Sequence, residues 1–247
     1  MLKGTALAAL ALVSLAAAAP AVEIDGRFPQ MVDLPTAYTL PRAAYTIGAR
    51  IAPGGTLVAG FRVGIVDYIS AGFSYGARNA IGTGDPDWEN RVEFDAKVRV
   101  LSEDSAIMSL AAGYDSRGYG RQFESGSFEK ASPGLFVVGS RALPFSEYWQ
   151  GHGGVSRTLE HERARPSFFV GIAGRFSKEF SVIGECQLGT KTESDGDSST
   201  ECYLNAGLRW LFSDRVQLDF LFRNLVGSSD SPELSSRSIV FTFYDSF

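Results

Sequence analysis

Residues 91–100 read RVEFDAKVRV, and in this stretch every odd-numbered residue is charged while every even-numbered residue is apolar. Successive side chains of a β-strand point to opposite faces of the sheet, so this alternation predicts a strand with one apolar and one charged face. Weaker forms of the same alternation recur from Ala43 to the end of the chain, and we count twelve predicted strands. Two of them are less regular: 135–141 is apolar on both faces, and 148–157 is rich in glycine.

The connections between the predicted strands alternate in length. The short ones are Asp67-Tyr68, Ser102–Asp104, Leu143–Ser146, Ser177–Glu179 and Ser213-Asp214. The long, polar ones are Asn79–Asn90, Ser116–Ser132, Thr158–Pro166, Thr190–Thr200 and Gly227–Arg237; Pro53–Thr56 is short where a long one is due. Short periplasmic turns and longer extracellular loops are typical of outer-membrane barrels. The sequence therefore predicts an all-β fold, a transmembrane antiparallel β-barrel of about 12 strands over residues 43–247.

The first residues have the pattern of an export signal. Met1–Ala21 combines Lys3 with a short run of small apolar residues and ends in Ala19-Pro20-Ala21. This pattern predicts a signal peptide that is cleaved after Ala21. Export and the predicted barrel together indicate a location in the outer membrane of a Gram-negative bacterium. Residues 22–42 contain three prolines and precede the first strand, so we expect an irregular segment that lies in the periplasm or forms a plug in the barrel.

The composition excludes several function classes. The chain has 247 residues, a net charge of −5, two cysteines and two histidines. An acidic chain is a poor nucleic-acid binder because phosphate contacts need a basic surface. Two Cys and two His do not supply a structural zinc site without help from carboxylates. We expect no metal and no cofactor.

In the predicted barrel, the polar face of each strand lines the lumen, and nine cations and five acids fall on it. The luminal basic residues are Arg50, Arg62, Arg78, Arg91, Lys97, Arg99, Arg175, Arg209 and Arg223. The luminal acidic residues are Glu93, Asp95, Asp115, Glu185 and Asp219. The lumen is net basic although the whole chain is acidic. Two interpretations stay open: a pore that prefers anions, or a packed interior in which the opposite charges pair.

Two further features concern assembly. Cys186 and Cys202 fall on the apolar face of neighbouring predicted strands, on either side of the Thr190–Thr200 loop, so they are candidates for a disulfide in the oxidising periplasm. The chain ends in a strand that carries Phe241 and Phe243 and finishes at Phe247. This ending resembles the signal that the bacterial barrel-assembly machinery reads, which makes that machinery and outer-membrane lipid the expected partners.

Several short stretches resemble the YjbH-like outer-membrane proteins. They are PTAYTLPR at Pro35–Arg42, GGTL at Gly54–Leu57, Gly72–Gly76, GDPDW at Gly84–Trp88 and GYDSRGYG at Gly113–Gly120. The similarity is best over Pro35 to Gly120 and returns at Tyr203–Phe220. The family is linked to exopolysaccharide production. The resemblance implies an envelope location and a barrel, with polysaccharide or other envelope proteins as partners.

The sequence thus favours a barrel without catalytic activity that takes part in exopolysaccharide-related or anion passage. One alternative is a surface hydrolase built on His161, which lies between two glutamates and near Ser156. A base close to a nucleophile and a carboxylate is the minimum for acyl transfer. Another alternative is a filled barrel that serves as an anchor or a partner-binding platform.

Overall fold

The computed structural model describes residues 27–162, 164–192, 198–213, 215–226 and 236–247. The predicted signal peptide, the centre of the Thr190–Thr200 loop and most of the Gly227–Arg237 loop lie outside the described residues. Within the described ranges, no helix is long and apolar enough to cross a membrane.

The described chain forms fifteen strands, of which twelve are long and three are short. They are β1 (Ala44–Ala52), β2 (Thr56–Val66), β3 (Ile69–Arg78), β4 (Asp87–Trp88), β5 (Glu93–Leu101), β6 (Ser109–Asp115), β7 (Tyr119–Gln122), β8 (Phe128–Lys130), β9 (Gly134–Leu143), β10 (Ser146–Arg157), β11 (Ser167–Arg175), β12 (Phe180–Thr192), β13 (Ser198–Ser213), β14 (Val216–Phe222) and β15 (Arg237–Ser246). The short strands β4, β7 and β8 belong to the connections. The two irregular predicted strands are both present, as β9 and β10.

The twelve long strands form a closed antiparallel barrel. Each pairs with its neighbour in sequence order, and β1 pairs with β15 from Ala44↔Ser246 to Ile51↔Ile239. A closed barrel leaves no strand edge, so its backbone groups are satisfied between strands even in a medium that offers no hydrogen bonds. The predicted fold class is confirmed.

The two ends of the barrel differ. One end, the turn end, carries the five short turns, the start of β1 and the end of β15; the other, the loop end, carries the long connections. At the loop end, Gly54 and Gly55 have φ values of 72° and 65°, a region that favours glycine, and make the short turn between β1 and β2 possible. β12 and β13 extend further than predicted, so the connection between them is shorter than Thr190–Thr200.

The outer surface carries the apolar residues of the alternating pattern. On β5, for example, Phe94 is 58% exposed while Glu93 beside it is fully buried. Aromatic rings cluster outside the turn end: the ring centres of Tyr45 and Phe247 are 4.8 Å apart, and Phe180 stacks on Trp210 at 5.8 Å. Such aromatic rings are typical of a membrane–water interface.

Residues 27–42 enter the barrel and fill much of its lumen; we call them the plug. The plug begins at the turn end, where Arg27 lies 3.7 Å from Asp104 in the β5–β6 turn. It rises to a turn closed by a hydrogen bond from the Met31 N–H to the Leu34 carbonyl, and then returns towards β1. On the way back it passes so close to Gly64 on β2 that a Cβ there would lie 1.9 Å from the plug's backbone.

An apolar cluster joins the plug to one side of the barrel wall. Its members are Met31, Val32, Leu34 and Ala37 of the plug and Ala111, Phe136, Val138, Phe169, Ile183 and Leu221 of the wall. These wall residues belong to β6, β9, β11, β12 and β14. The cluster explains why 135–141 is apolar on both faces, since one face of β9 packs against the plug.

We expect Phe94→Arg to reduce the stability of the membrane-inserted barrel by about 2–4 kcal/mol, because it places a cation on the lipid-facing surface. Ser105→Arg, in an exposed turn at the turn end, is the matched control and should have little effect. The measurement is urea-induced unfolding of the two variants in lipid vesicles. Equal stability of both variants would show that this face of β5 does not contact lipid.

Candidate functional site

The turn of the plug at Met31–Leu34 binds a buried carboxylate of the wall. The backbone N–H groups of Val32, Asp33 and Leu34 all donate to the Glu185 carboxylate, at 3.1, 3.0 and 3.2 Å. The Asn205 side chain donates to the same carboxylate at 2.7 Å. Successive N–H groups that converge in a turn form a concave anion site, and here that site is filled by Glu185 of β12.

The Asp33 side chain joins the plug to two further parts of the molecule. Its carboxylate accepts from Nε of Arg223, directly after β14, at 2.8 Å, from Lys130 Nζ of β8 at 3.0 Å and from Asn205 Nδ2 at 3.3 Å. Burial alone would raise the pKa of the Asp33 carboxyl, but the charges of Arg223, Lys130 and Arg50 outweigh burial and hold its pKa below the usual range. Asp33 is therefore ionised at neutral pH.

The wall binds the plug backbone on both sides of its turn. Lys97 Nζ donates to the carbonyls of Pro29, before the turn, and Thr36, after it, at 2.8 and 2.9 Å, and so joins the two halves of the plug. Arg209 donates to the Met31 carbonyl at 3.3 Å on the opposite wall. These contacts depend on the path of the plug backbone more than on its side chains.

The long connection between β6 and β9 turns inwards from the loop end. Its strands β7 and β8 pair with each other, and the backbone of Lys130 pairs with Lys191 on β12. The Glu160 carboxylate accepts from the N–H groups of Phe128 and Ser132, at 2.8 Å each. Burial raises the pKa of the Glu160 carboxyl. We call residues 119–130 the inner hairpin; it meets the plug at the pair formed by Lys130 and Asp33.

Tyr119 of the inner hairpin lies among three cations. The charged groups of Arg50, Arg223 and Lys130 are 4.6, 5.0 and 5.3 Å from its ring centre, within the range of cation–π attraction. Its hydroxyl oxygen accepts from Arg50 Nη2 and from Gln30 Nε2, both at 3.4 Å. Burial raises the pKa of the Tyr119 hydroxyl to about 12, so it is protonated at neutral pH.

The plug packs against one side of the wall and leaves space along the other. A cavity of about 170 Å³, the inner cavity, lies between the plug and a part of the wall formed mainly by β1, β2, β3, β5 and β15, with further lining residues from β6, β13 and β14. Its charged lining residues are Arg50, Arg62, Arg117 and Arg209 and, on the acidic side, Asp95, Asp115 and Asp219. A second cavity of about 80 Å³, the outer cavity, lies nearer the loop end. Arg50, Arg117 and Tyr119 line both cavities.

Many of the charges assigned to the lumen from the sequence form pairs. Arg62 donates to both oxygens of Asp95, at 2.9 and 3.1 Å, and Arg209 donates to both oxygens of Asp219, at 2.9 and 2.8 Å. Ion pairs also join Arg91 to Glu93 at 2.9 Å, Arg78 to Asp87 at 3.8 Å and Arg223 to Asp33 at 2.8 Å. The lumen therefore resembles the packed interior considered from the sequence more closely than a wide, water-filled pore.

The other members of that set make contacts of other kinds. Lys97 binds backbone carbonyls of the plug, and Arg99 donates to the Asp67 carbonyl at 3.0 Å near the turn end. Arg175 lies over the Tyr148 ring at 5.5 Å. Arg50 contacts Tyr119, and Glu185 is bound by the plug. Asp115 accepts from the Arg117 N–H at 2.8 Å and lies opposite Asp95 in the β5–β6 ladder.

The two cysteines lie on the outer surface at diagonal positions of β12 and β13. Cys186 is opposite Leu204, and Cys202 is opposite Leu188. Their Sγ atoms are 3.6 Å apart and are not bonded to each other. A disulfide would bring the two sulfur atoms to about 2.05 Å, so the cross-strand disulfide stays a prediction.

The two histidines take part in separate contacts. His161 Nε2 lies 2.8 Å from Thr192 Oγ1, and within the described ranges no hydrogen bond links His161 to Ser156. His152 Nδ1 lies 2.8 Å from Ser140 Oγ inside the barrel. The Ser140 hydroxyl also accepts from the Ala37 N–H of the plug, at 2.8 Å. This serine–histidine pair thus belongs to the attachment of the plug.

The sequence pattern did not indicate Asp33, Lys130 and Tyr119, three residues at the centre of the lumen. All three lie outside the long strands, where no alternating pattern indicates whether a side chain points into the barrel or away from it. One signal was available: glycines on the inward face mark where the plug approaches the wall. A Cβ at Gly64 would clash with the plug backbone, and one at Gly171 would lie 2.4 Å from Met31 Sδ.

Proteins of known structure provide a comparison for the fold of this chain. No protein-family model matches the chain, and no curated protein matches it. The chain is similar to the KdgM porin, with a TM-score of 0.50 and 8% sequence identity over 83% of this chain and 99% of that chain. It is also similar to the KdgM porin in complex with disordered oligogalacturonate, with a TM-score of 0.51, 9% identity and the same coverage. The NanC porin has a TM-score of 0.45 and 10% identity over 82% of this chain and 99% of that chain.

At these identities the likeness concerns the fold alone. By its closed barrel of twelve antiparallel strands, with short turns at one end and long connections at the other, the chain has the fold of a porin-like outer-membrane β-barrel. In such barrels the short turns face the periplasm and the long loops face outwards. The plug then enters from the periplasmic side, and the inner hairpin enters from the cell exterior.

We expect Asp33→Asn to destabilise the folded protein by about 3–5 kcal/mol, because it leaves the buried charges of Arg223 and Lys130 without their shared carboxylate. Asp104→Asn breaks the exposed contact with Arg27 and should change stability by less than about 1 kcal/mol. The measurement is the free energy of unfolding in urea, in detergent micelles. Similar losses for both variants would contradict the assignment of Asp33 as the central attachment of the plug.

Proposed function

We propose that this protein is an outer-membrane channel through which small anionic solutes pass along the side of the barrel that the plug leaves open. The observation that carries the proposal is the asymmetric position of the plug. Its apolar residues pack against β6, β9, β11, β12 and β14, and the inner cavity, lined by four arginines and three aspartates, lies mainly along β1, β2, β3, β5 and β15. A cationic lining favours anions.

The size of the solute is limited by the plug. An inner cavity of about 170 Å³ and an outer cavity of about 80 Å³ suit small solutes better than a polymer. The KdgM porin was solved with oligogalacturonate, an acidic saccharide. By analogy, acidic sugars are reasonable candidates for the solute, and longer saccharides would require the plug to move.

The wider biological role is part of the same proposal. The resemblance of Pro35 to Gly120 to YjbH-like proteins supports a role in the cell envelope that is connected with exopolysaccharide production. Export by the predicted signal peptide, insertion into outer-membrane lipid and contacts with polysaccharide or envelope proteins are consistent with that role.

The proposed barrel has no catalytic activity. The surface hydrolase that the sequence left open needs Ser156 near His161, whereas in the described structure the His161 ring forms a hydrogen bond with Thr192. His161→Ala should therefore leave any ester-hydrolysing activity of the purified protein unchanged.

A filled barrel that acts as an anchor or a partner-binding platform is the second candidate. The apolar cluster between plug and wall supports it, because a cluster of ten buried apolar residues is costly to disrupt each time a channel opens. The two candidates differ in one measurable property, which is the passage of ions.

The test is electrical recording of the full-length protein in planar lipid bilayers under a salt gradient. We expect small, steady currents with a reversal potential that indicates anion preference. Arg50→Glu should shift the reversal potential towards cations, because Arg50 lines both cavities. Arg121→Glu makes the same charge change at an exposed position of the inner hairpin and should not shift it. Absence of current from correctly folded protein would reject the channel in favour of the filled barrel.

We also propose that Phe241, Phe243 and Phe247 form the signal for the barrel-assembly machinery. Phe247 packs on Tyr45 and donates its N–H to the Ala43 carbonyl, while Phe241 and Phe243 lie in the closing β1–β15 ladder. Deleting Phe247 should therefore lower the amount of barrel in the outer membrane of cells, yet leave folding of the purified chain into detergent nearly normal.

Immunoblots of membrane fractions measure this effect. A variant in which Thr190–Thr200 is shortened by three residues is the control, since the described residues of that stretch lie at the loop end and Phe247 lies at the turn end. Equal amounts of both variants in the outer membrane would show that Phe247 is not read during assembly.

A further inference from the structure

Arg223 is a buried cation with an unused donor. Its side chain is 5% exposed; Nε donates to Asp33 at 2.8 Å, and Nη1 donates to the Ser238 hydroxyl. Its third nitrogen, Nη2, has no hydrogen-bond partner in the described part of the chain. Buried donors are nearly always paired, and an unpaired one is costly. Arg223 lines the outer cavity, so a guest in that cavity can supply the missing acceptor.

Arg50 lines the same cavity and has no carboxylate within ion-pair distance among the described residues. Its guanidinium lies over the Tyr119 ring and donates to the Tyr119 hydroxyl oxygen. A guanidinium has five N–H groups, and this single contact with Tyr119 leaves most of them available. Arg50 and Arg223 are both within 5.0 Å of the centre of one ring, so their charges act on the same small region.

The Tyr119 hydroxyl adds a neutral donor. Its oxygen accepts from Arg50 and Gln30, but in the described ranges its own proton has no acceptor. A phenol whose pKa is about 12 keeps that proton at neutral pH and can donate it to an anion.

The charge around the outer cavity is unbalanced. Four arginines and two acids line it: Arg50, Arg78, Arg117 and Arg223, with Asp87 and Glu89. Glu89 pairs with Arg117, and Asp87 pairs with Arg78 at 3.8 Å. Arg223 and Lys130 share the single carboxylate of Asp33, and Arg50 has no carboxylate of the described chain within ion-pair distance, so positive charge is in excess here.

We propose that the outer cavity is a binding site for one oxyanion group of a small solute, held by Arg223 Nη2, the Arg50 guanidinium and the Tyr119 hydroxyl. The inference rests on the proposed passage of anions, because it names the place where the solute first binds when it enters from the loop end. Carboxylate and sulfate groups share the required chemistry, and the experiment below distinguishes them.

Such a guest would act on the plug as well. Arg223 would hold Asp33 through Nε and the solute through Nη2, so the two anions would compete for the same positive charge. Binding of the solute should therefore weaken the attachment of the plug, which is the direction needed for a solute that must pass it.

The experiment uses the full chain, folded in detergent and titrated separately with acetate, sulfate and acetamide at constant ionic strength. Tryptophan fluorescence reports binding, because Trp88 lines the outer cavity. We expect saturable binding of acetate or sulfate, and the tighter of the two identifies the preferred group. Acetamide has the shape of acetate without its charge and should not bind. If acetamide binds as well as acetate, or if neither anion saturates, the site does not exist.

Variants locate the binding. Arg50→Gln should weaken anion binding about tenfold, and Tyr119→Phe should weaken it severalfold without changing the net charge. Arg121→Gln removes a cation of the same hairpin that does not line the cavity, and it should leave the affinity unchanged. Heat-dependent mobility on a denaturing gel checks that each variant is a folded barrel. Unchanged affinity in folded Arg50→Gln, or in folded Tyr119→Phe if Arg50→Gln does not fold, overturns the proposal.

This test is independent of transport. Saturable anion binding without anion-selective current would reject the proposed passage and keep the site. Anion-selective current without saturable binding would reject the site and keep the passage.

Discussion

The interior of this barrel depends on the carboxylate of Asp33, which is bound at the same time by the wall and by the inner hairpin. Arg223 approaches it from the residue that follows β14 and Lys130 from β8, so one side chain joins three segments that are far apart in sequence. A buried ion pair is a weak source of net stability, because removing the charges from water offsets most of their attraction. What such a cluster supplies is a defined position, since any other position of the plug leaves buried charges unpaired.

The long strands could be predicted from the sequence because a strand in a barrel wall obeys a simple rule. Stretches such as 91–100 must present apolar side chains to one side and polar ones to the other, and the alternation is visible without any knowledge of the partners. The same rule separated Phe94 from Lys97 and gave the number of strands. It also indicated a mixture of charges in the lumen, although it could not tell which of them pair.

The plug and the inner hairpin could not be predicted in the same way. Their residues follow no period, and their positions are set by contacts with segments that lie tens of residues to more than a hundred residues away, such as the hydrogen bonds from the plug turn to Glu185. Two details carried partial information. The apolar stretch 135–141 implies an apolar neighbour inside the barrel. An inward-facing glycine such as Gly64 implies that the backbone of another segment passes close to it.

The position of the plug in the chain constrains the order of assembly. The plug precedes β1 and is joined to it at Ala43, whose φ of 63° turns the chain sharply into the wall. Its partners Glu185, Asn205 and Arg223 are synthesised later, on β12, β13 and next to β14. The plug segment precedes all three partners in the chain, so its contacts with them can form only after most of the wall has been made. Because the plug is tethered to β1 and bound by residues of β12 and β13 and by Arg223, it links the first strand of the wall to its later strands from inside the barrel.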